Sequence, residues 1–97
     1  MRRDDAIAKL KASEDAVRAL GATSLYLYGS TARDEAGPES DVDVFVEYVS
    51  GRFTLFELSG LKLLLEERLD TPTDVTTRNG LNPYLRKRIE HDAIQIF

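Results

Sequence analysis

The sequence predicts an α+β fold, α/β-like in its alternation, with a small mixed sheet of about four strands flanked by helices. Three observations carry this expectation. Apolar or β-rich runs at 24–28, 41–48, 73–77 and 93–97 are set off by turn-forming residues. Two longer stretches, 3–20 and 55–69, repeat apolar residues at helical spacing. A hydrophobic content of 42% across 97 residues suffices for one two-layer domain, spanning 1–97.

Taken in order, residues 3–20 place Ile7, Leu10, Val17 and Leu20 near one stripe, helped by Ala6 and Ala16, and Gly21 stops that helix. The first strand, 24–28, ends at Gly29-Ser30. Thr31–Ala36 reads as a short helix, and Gly37-Pro38-Glu39-Ser40 returns the chain to a second strand at 41–48. Ser50-Gly51-Arg52 is a turn. Residues 55–69 carry Leu58, Leu61, Leu65 and Leu69 on one helical face, broadened by Leu63 and Leu64. Gly60 inside this helix costs about 1 kcal/mol relative to alanine, which implies close packing against another backbone. Thr71-Pro72 leads into a third strand at 73–77. Asn82-Pro83 starts a last helix running to about His91, with proline at its favoured first position. Ala93–Phe97 alternates as a final strand. There is no internal repeat, low-complexity tract or linker.

The chemistry concentrates between Gly29 and Asp43. In an extended strand Asp41 and Asp43 share a face, roughly 6 to 7 Å apart at Cα, while Val42, Val44 and Val46 take the other. Two like charges on one face repel, and strands disfavour aspartate. A divalent cation such as Mg²⁺ or Mn²⁺ reverses that repulsion, because hard cations take carboxylate oxygens and share them with substrate phosphates. The plain alternative is an acidic surface strand in a chain with 17 acidic residues. Gly29 permits positive φ and close approach of a phosphate. Ser30 adds a hydroxyl and an N–H at the start of a short helix, where an anion meets free N–H groups. Arg33 lies one turn on, either facing the phosphates or solvated beside Asp34 or Glu35.

These residues carry a resemblance. Tyr28-Gly-Ser-Thr-Ala-Arg33 followed by Ser40-Asp-Val-Asp-Val-Phe-Val46 resembles the nucleotidyltransferases related to DNA polymerase β, and among them the minimal nucleotidyltransferases of bacteria and archaea. The likeness spans nearly the whole chain. It implies a nucleotidyltransferase fold and a third carboxylate. Asp74, near the start of the third strand, fills that place when that strand lies beside the second; Asp70 competes for it but reads more readily as a loop residue before Thr71-Pro72. By resemblance Asp41, Asp43 and Asp74 are the catalytic, metal-holding residues, and Gly29, Ser30 and Arg33 bind the nucleotide. ATP is the implied substrate and Mg²⁺, or alternatively Mn²⁺, the implied cofactor. Two metals would stabilise the attacking and leaving oxygens together, leaving no need for a dedicated general base. Members of this family are frequently paired with a HEPN-domain toxin, and some transfer AMP to a tyrosine of it. The resemblance therefore implies an antitoxin role. A module that neutralises its partner by contact alone is the alternative.

Composition narrows the classes. Without cysteine there is no disulfide framework, thiolate nucleophile or zinc–thiolate site. The single histidine, His91, reads as a solvated residue near a helix end. Net charge is −4, which argues against direct nucleic-acid binding and favours a protein or small-molecule acceptor. Nothing resembles a signal peptide and no run approaches 18 apolar residues, so a cytoplasmic protein that does not span a membrane is expected. Leu63-Leu64-Leu65, with Phe53 and Phe56 ahead of it, gives either a wide core face or an interface to a partner or a second copy. Arg86-Lys87-Arg88 is either a solvated face or a contact for an acidic partner or the triphosphate.

Overall fold

The computed structural model describes residues 1–97. Its elements are helices α1 (Arg3–Ala12), α2 (Glu14–Ala19), α3 (Gly29–Ala32), α4 (Leu55–Leu69) and α5 (Arg86–Asp92), and strands β1 (Ala22–Tyr28), β2 (Val42–Tyr48), β3 (Thr73–Thr77) and β4 (Ile94–Gln95). The strands form one mixed four-stranded sheet in the order β3-β2-β1-β4. β1 runs antiparallel to β2 and to β4, and β2 runs parallel to β3. The parallel pair needs a crossover, which α4 supplies.

Alternation along the strands divides the sheet into two unlike faces. Leu25 and Leu27 of β1 and Val42, Val44 and Val46 of β2 are fully buried on one of them. There they join Ala6 and Leu10 of α1, Val17 of α2, Leu61, Leu65 and Leu69 of α4, and Ile96 in one apolar core. Burying each leucine or valine stabilises the fold by about 1.5–3 kcal/mol. The other face carries Tyr26, Tyr28, Asp43, Phe45 and Glu47. Phe45 is fully buried yet lies outside the core cluster, stacked on Tyr26 at 4.7 Å between ring centroids.

Several element ends differ from the sequence expectation, each for a local reason. The expected 3–20 helix is broken at Ser13, whose hydroxyl donates to the Lys9 carbonyl at 2.9 Å. Such back-bonding competes with the helical ladder and bends it. The short helix after β1 occupies 29–32 rather than 31–36, because Asp34 adopts a left-handed conformation (φ 58°). Asp34 N–H donates to the Thr31 carbonyl and Glu35 N–H to that of Ser30, the two bonds of a Schellman stop. The last helix starts at Arg86, not Pro83. Asn82 Oδ1 accepts the Tyr84 N–H at 2.9 Å and Asn82 O accepts that of Leu85, so this stretch closes into a turn first. The final strand shortens to Ile94–Gln95. Gly60 meets only a Leu20 methyl at 3.8 Å from a notional Cβ, so no backbone packs against it. Within the Leu63-Leu64-Leu65 run only Leu65 is fully buried, and Leu55, Phe56 and Leu63 lie exposed.

α4 also sets where β3 begins. Thr54 caps its first turn, accepting the Phe56 N–H. Near its end, Lys62 Nζ donates to the Thr73 carbonyl at 3.0 Å and Glu66 accepts the Thr73 N–H at 3.2 Å. These bonds hold the first residue of β3 in place, and with it Asp74. Leu65→Ala, beneath this junction, is expected to lower stability by about 2–5 kcal/mol. The check is urea unfolding: the midpoint falls while the slope stays constant.

Candidate active site

The register of the three central strands assembles the site. Tyr28 pairs with Asp43 across the antiparallel β1–β2 ladder, and Asp43 pairs with Asp74 across the parallel β2–β3 ladder. Directly paired residues project to the same face, so Tyr28, Asp43 and Asp74 form one row on the side away from the helical core. The row is electrostatically costly. Partial burial raises the proton affinity of Asp43, and the neighbouring charges of Asp74 and Asp41 raise it further, while Arg33 opposes the shift. The Tyr28 phenol is pushed up to about 12 by burial and then by the carboxylates of Asp43 and Asp74. It therefore stays protonated at neutral pH, an O–H donor beside two acceptors.

Gly29 follows Tyr28 with φ of 75°. The Asp43 side chain packs over its Cα: a Cβ on residue 29 would lie 3.4 Å from Asp43 Cβ and collide with Asp43 Oδ2. Both the backbone angle and the contact require glycine here. Ser30 is half-buried in the turn that follows. The Thr31 hydroxyl, 1% exposed, is the one buried side-chain polar atom without a hydrogen-bond partner. Asp34, which ends this turn, accepts the Arg3 N–H at 3.1 Å and so ties the turn to the start of α1.

Beside Tyr28 and Gly29 opens a pocket of about 540 Å³, lined also by Arg33 and Glu35 from the turn and by Leu85, Arg88, Ile89 and Asp92 at α5. Arg33 pairs with Glu35 at 3.2 Å. Of the residues singled out in the sequence, Asp43 and Asp74 stand together, and Gly29 and Arg33 line the adjoining pocket. Asp41 is exposed and precedes β2 rather than joining its ladder. Asp70 caps α4 in a left-handed conformation, outside the row. No three aspartate, glutamate, histidine or cysteine side chains, as they lie, are close enough to enclose a metal ion. The donors nonetheless suit a hard cation in kind: all are carboxylates, and their mutual repulsion is what a cation relieves. The glycine–aspartate pattern does not single out Tyr28, although its place directly before Gly29 in an alternating strand marks its face. No sequence signal marks Leu85, Ile89 and Asp92, whose approach is purely tertiary.

The charged row gives a prediction with a sign. Asp43 binds its proton more tightly in the fold than in the unfolded chain, where the ordinary value is 3.8. Its favourable contribution is therefore complete below that value and is lost as pH rises through the raised folded value. Asp43→Asn should stabilise the protein at pH 7 by about 0.2–1 kcal/mol, taking like-charge repulsion across the ladder to match other cross-strand pairs in size. Melting curves from pH 3 to 8 check it: the advantage must vanish at the acid end. Gly29→Ala should cost at least about 1–2 kcal/mol from the left-handed backbone alone, read as a lowered urea midpoint.

Comparison with known proteins finds relatives that share the fold and most of the chain. Residues 10–96 match the family described as Nucleotidyltransferase domain. A candidate protein adenylyltransferase of Methanocaldococcus jannaschii is 40% identical over 70 residues, covering 72% of this chain and 74% of that protein. A second from the same organism is 36% identical over 74 residues, 75% and 74% of the two chains. A solved structure described as a candidate minimal nucleotidyltransferase superposes with a TM-score of 0.83 at 35% identity, over 97% of this chain and 95% of that one. A toxin–antitoxin crystal structure with AMP-PNP shares the fold, with a TM-score of 0.74 at 19% identity over 92% of this chain and 72% of that one. With the family pattern running over nearly its whole length, this chain belongs to the nucleotidyltransferase domain family.

Proposed function

We propose that this protein is a Mg²⁺-dependent nucleotidyltransferase that moves AMP from ATP to a hydroxyl of a partner protein, a HEPN-domain toxin, and thereby acts as its antitoxin. One observation carries the reading: the paired carboxylates Asp43 and Asp74 stand beside a glycine turn that opens into a pocket with two arginines. Acidic residues for a cation thus adjoin basic residues for a polyphosphate. The relatives described as candidate protein adenylyltransferases support a protein acceptor, and the toxin–antitoxin structures of the same fold support a toxin as that partner. A net charge of −4 disfavours a nucleic-acid acceptor.

Asp41, Asp43 and Asp74 would hold the metal, which when bound supplies charge neutralisation at the α-phosphate and acidifies the acceptor hydroxyl. Asp41 would have to swing in from its exposed position before β2. Gly29 gives the triphosphate room to approach the backbone, and Ser30 offers it a hydroxyl and an N–H. Arg33 and Arg88, facing the pocket from opposite sides, balance the phosphate charge. The Tyr28 O–H, beside the carboxylates of Asp43 and Asp74, can donate to a bound oxygen. The acceptor oxygen bonds to the α-phosphorus as the bond to the β-phosphate oxygen breaks, and pyrophosphate leaves. The chain's part is positioning and electrostatics.

The test uses ATP labelled on its α-phosphate, Mg²⁺ and whichever protein copurifies with this chain from its native source. Label should appear on the partner with the wild type and fall by at least about a hundredfold, the scale of losing electrostatic stabilisation, in the Asp41→Asn, Asp43→Asn double variant. Substantial transfer by that variant would sink the carboxylate assignment. A stable complex with tight nucleotide binding and no label would instead establish neutralisation by contact.

A further inference from the structure

α5 supplies the outer wall of the pocket but has little to hold it there. It is seven residues long, has no side-chain N-cap and buries no residue fully. Helices this short are marginal unless tertiary contacts fix them. Only Arg86, Ile89 and Glu90 within it are even half-buried, and Glu90 is engaged both within the helix, by Arg86 at 3.4 Å, and from outside it. Arg78, in the 3-10 turn directly after β3, donates through Nη1 to Glu90 Oε2.

The other end of Arg78 is anchored on the sheet. Its Nη2 donates to Glu47 Oε1 at 2.7 Å, and that same oxygen accepts the Tyr26 hydroxyl at 3.0 Å. The guanidinium lies 4.8 Å above the Tyr26 ring and 5.0 Å from the Phe45 ring, both within cation–π range. Only 26% of the Arg78 side chain is exposed. A planar guanidinium fork can bridge two carboxylates and stack on aromatic rings at once, which a lysine cannot. Burial works against its charge, but the bonds to Glu47 and Glu90 outweigh that cost. Arg78 does not line the pocket beside Gly29.

We propose that Arg78 is a positioning residue for that pocket: anchored on Glu47, Tyr26 and Phe45, it grips α5 through Glu90 and so places Arg88 and Ile89 opposite the Gly29 turn. This rests on the nucleotide reading of the pocket. It assigns to the bridge a role in substrate affinity as well as in stability, and it links β3, which carries Asp74, to the wall that faces the phosphates. The aromatic contact continues the link, since Phe45 packs on Tyr28 at 5.7 Å between centroids and Tyr28 lines the pocket.

The key variant is Glu90→Gln, which weakens the arm to α5 while leaving Arg78 on the sheet; Arg78→Gln and Arg78→Lys accompany it. Arg86→Gln, which removes only the pair Glu90 makes inside the helix and should have the smaller effect, is the control. Two readouts are taken on the full chain: hydrogen exchange of amides in α5, and binding of ATP with Mg²⁺ by calorimetry. Glu90→Gln should speed exchange at Ile89 and its neighbours while β1 and β2 stay protected. ATP binding should weaken about three- to tenfold, the scale of mutations that act through a network. Arg78→Lys should fall between wild type and Arg78→Gln. In an Arg88→Gln background, Glu90→Gln should add less than twofold, because its effect passes through Arg88. Unchanged exchange in α5, or a full additive loss in the double variant, would overturn the proposal. Failure of the wild type to bind ATP would instead overturn the nucleotide reading, and α5 exchange would then decide the grip alone.

Discussion

The pairing of β1 with β2 is the constraint on which the rest of this molecule depends. One register places Tyr28 opposite Asp43, Leu27 opposite Val44 and Leu25 opposite Val46. The same alignment that stacks the aliphatic residues into the helical core brings the carboxylate over the Gly29 backbone. A slip of one residue would turn the valines of β2 to the polar face and withdraw Asp43 from the turn. Core and site are therefore two consequences of one hydrogen-bonded ladder. The burial of Val42, Val44 and Val46 supplies the stabilisation that holds Asp43 in an unfavourable place.

That unfavourable place is the most informative feature of the site. Asp43 and Asp74 lie directly opposite one another, and their repulsion is left uncompensated by any lysine or arginine hydrogen-bonded to them. The nearest moderating charge, Arg33, is engaged with Glu35. Elsewhere on the same face the chain solves the equivalent problem: Glu47 and Glu90 flank Arg78, and Arg86 adds a second cation beside Glu90, so two carboxylates meet two guanidiniums. One end of the sheet is thus electrostatically closed, while the other keeps an unrelieved pair of carboxylates beside an open pocket. A carboxylate of raised proton affinity, Asp43, in a like-charged row beside a pocket marks a candidate functional site. The closed end also gives α5 its tether, so a contact that resembles simple stabilisation shapes the open end as well.

The elements were legible where local rules act alone. Leu61, Leu65 and Leu69 mark the buried face of α4 by spacing. The alternation of Val42, Val44 and Val46 against Asp43 and Phe45 marks the two faces of β2. Legibility failed where a side chain rewrote the backbone. Ser13 breaks a helix that its apolar stripe continues straight through, and Asn82 closes a turn where Pro83 would open a helix. Asp34 stops α3 in a conformation usually left to glycine. In each case a short polar side chain or an unusual φ outweighs the apolar period, because a local hydrogen bond competes directly with the helical ladder.

By itself the sequence determined the glycine turn, the acidic pair ten residues beyond it and the faces on which the valines and Asp43 lie, since those follow from spacing along a single strand. It also marked Asp74 as the third acidic candidate. Only the tertiary structure decided that Asp43 and Asp74 meet in register while Asp41 stays outside the ladder, because strand pairing is a long-range choice made through α4 and its bonds to Thr73. Only the tertiary structure brought Arg88, Ile89 and Asp92 to the Gly29 turn and joined Arg78 to Glu47 and Glu90. Residues tens of positions apart carry no shared period, and their meeting depends on how the sheet and helices pack.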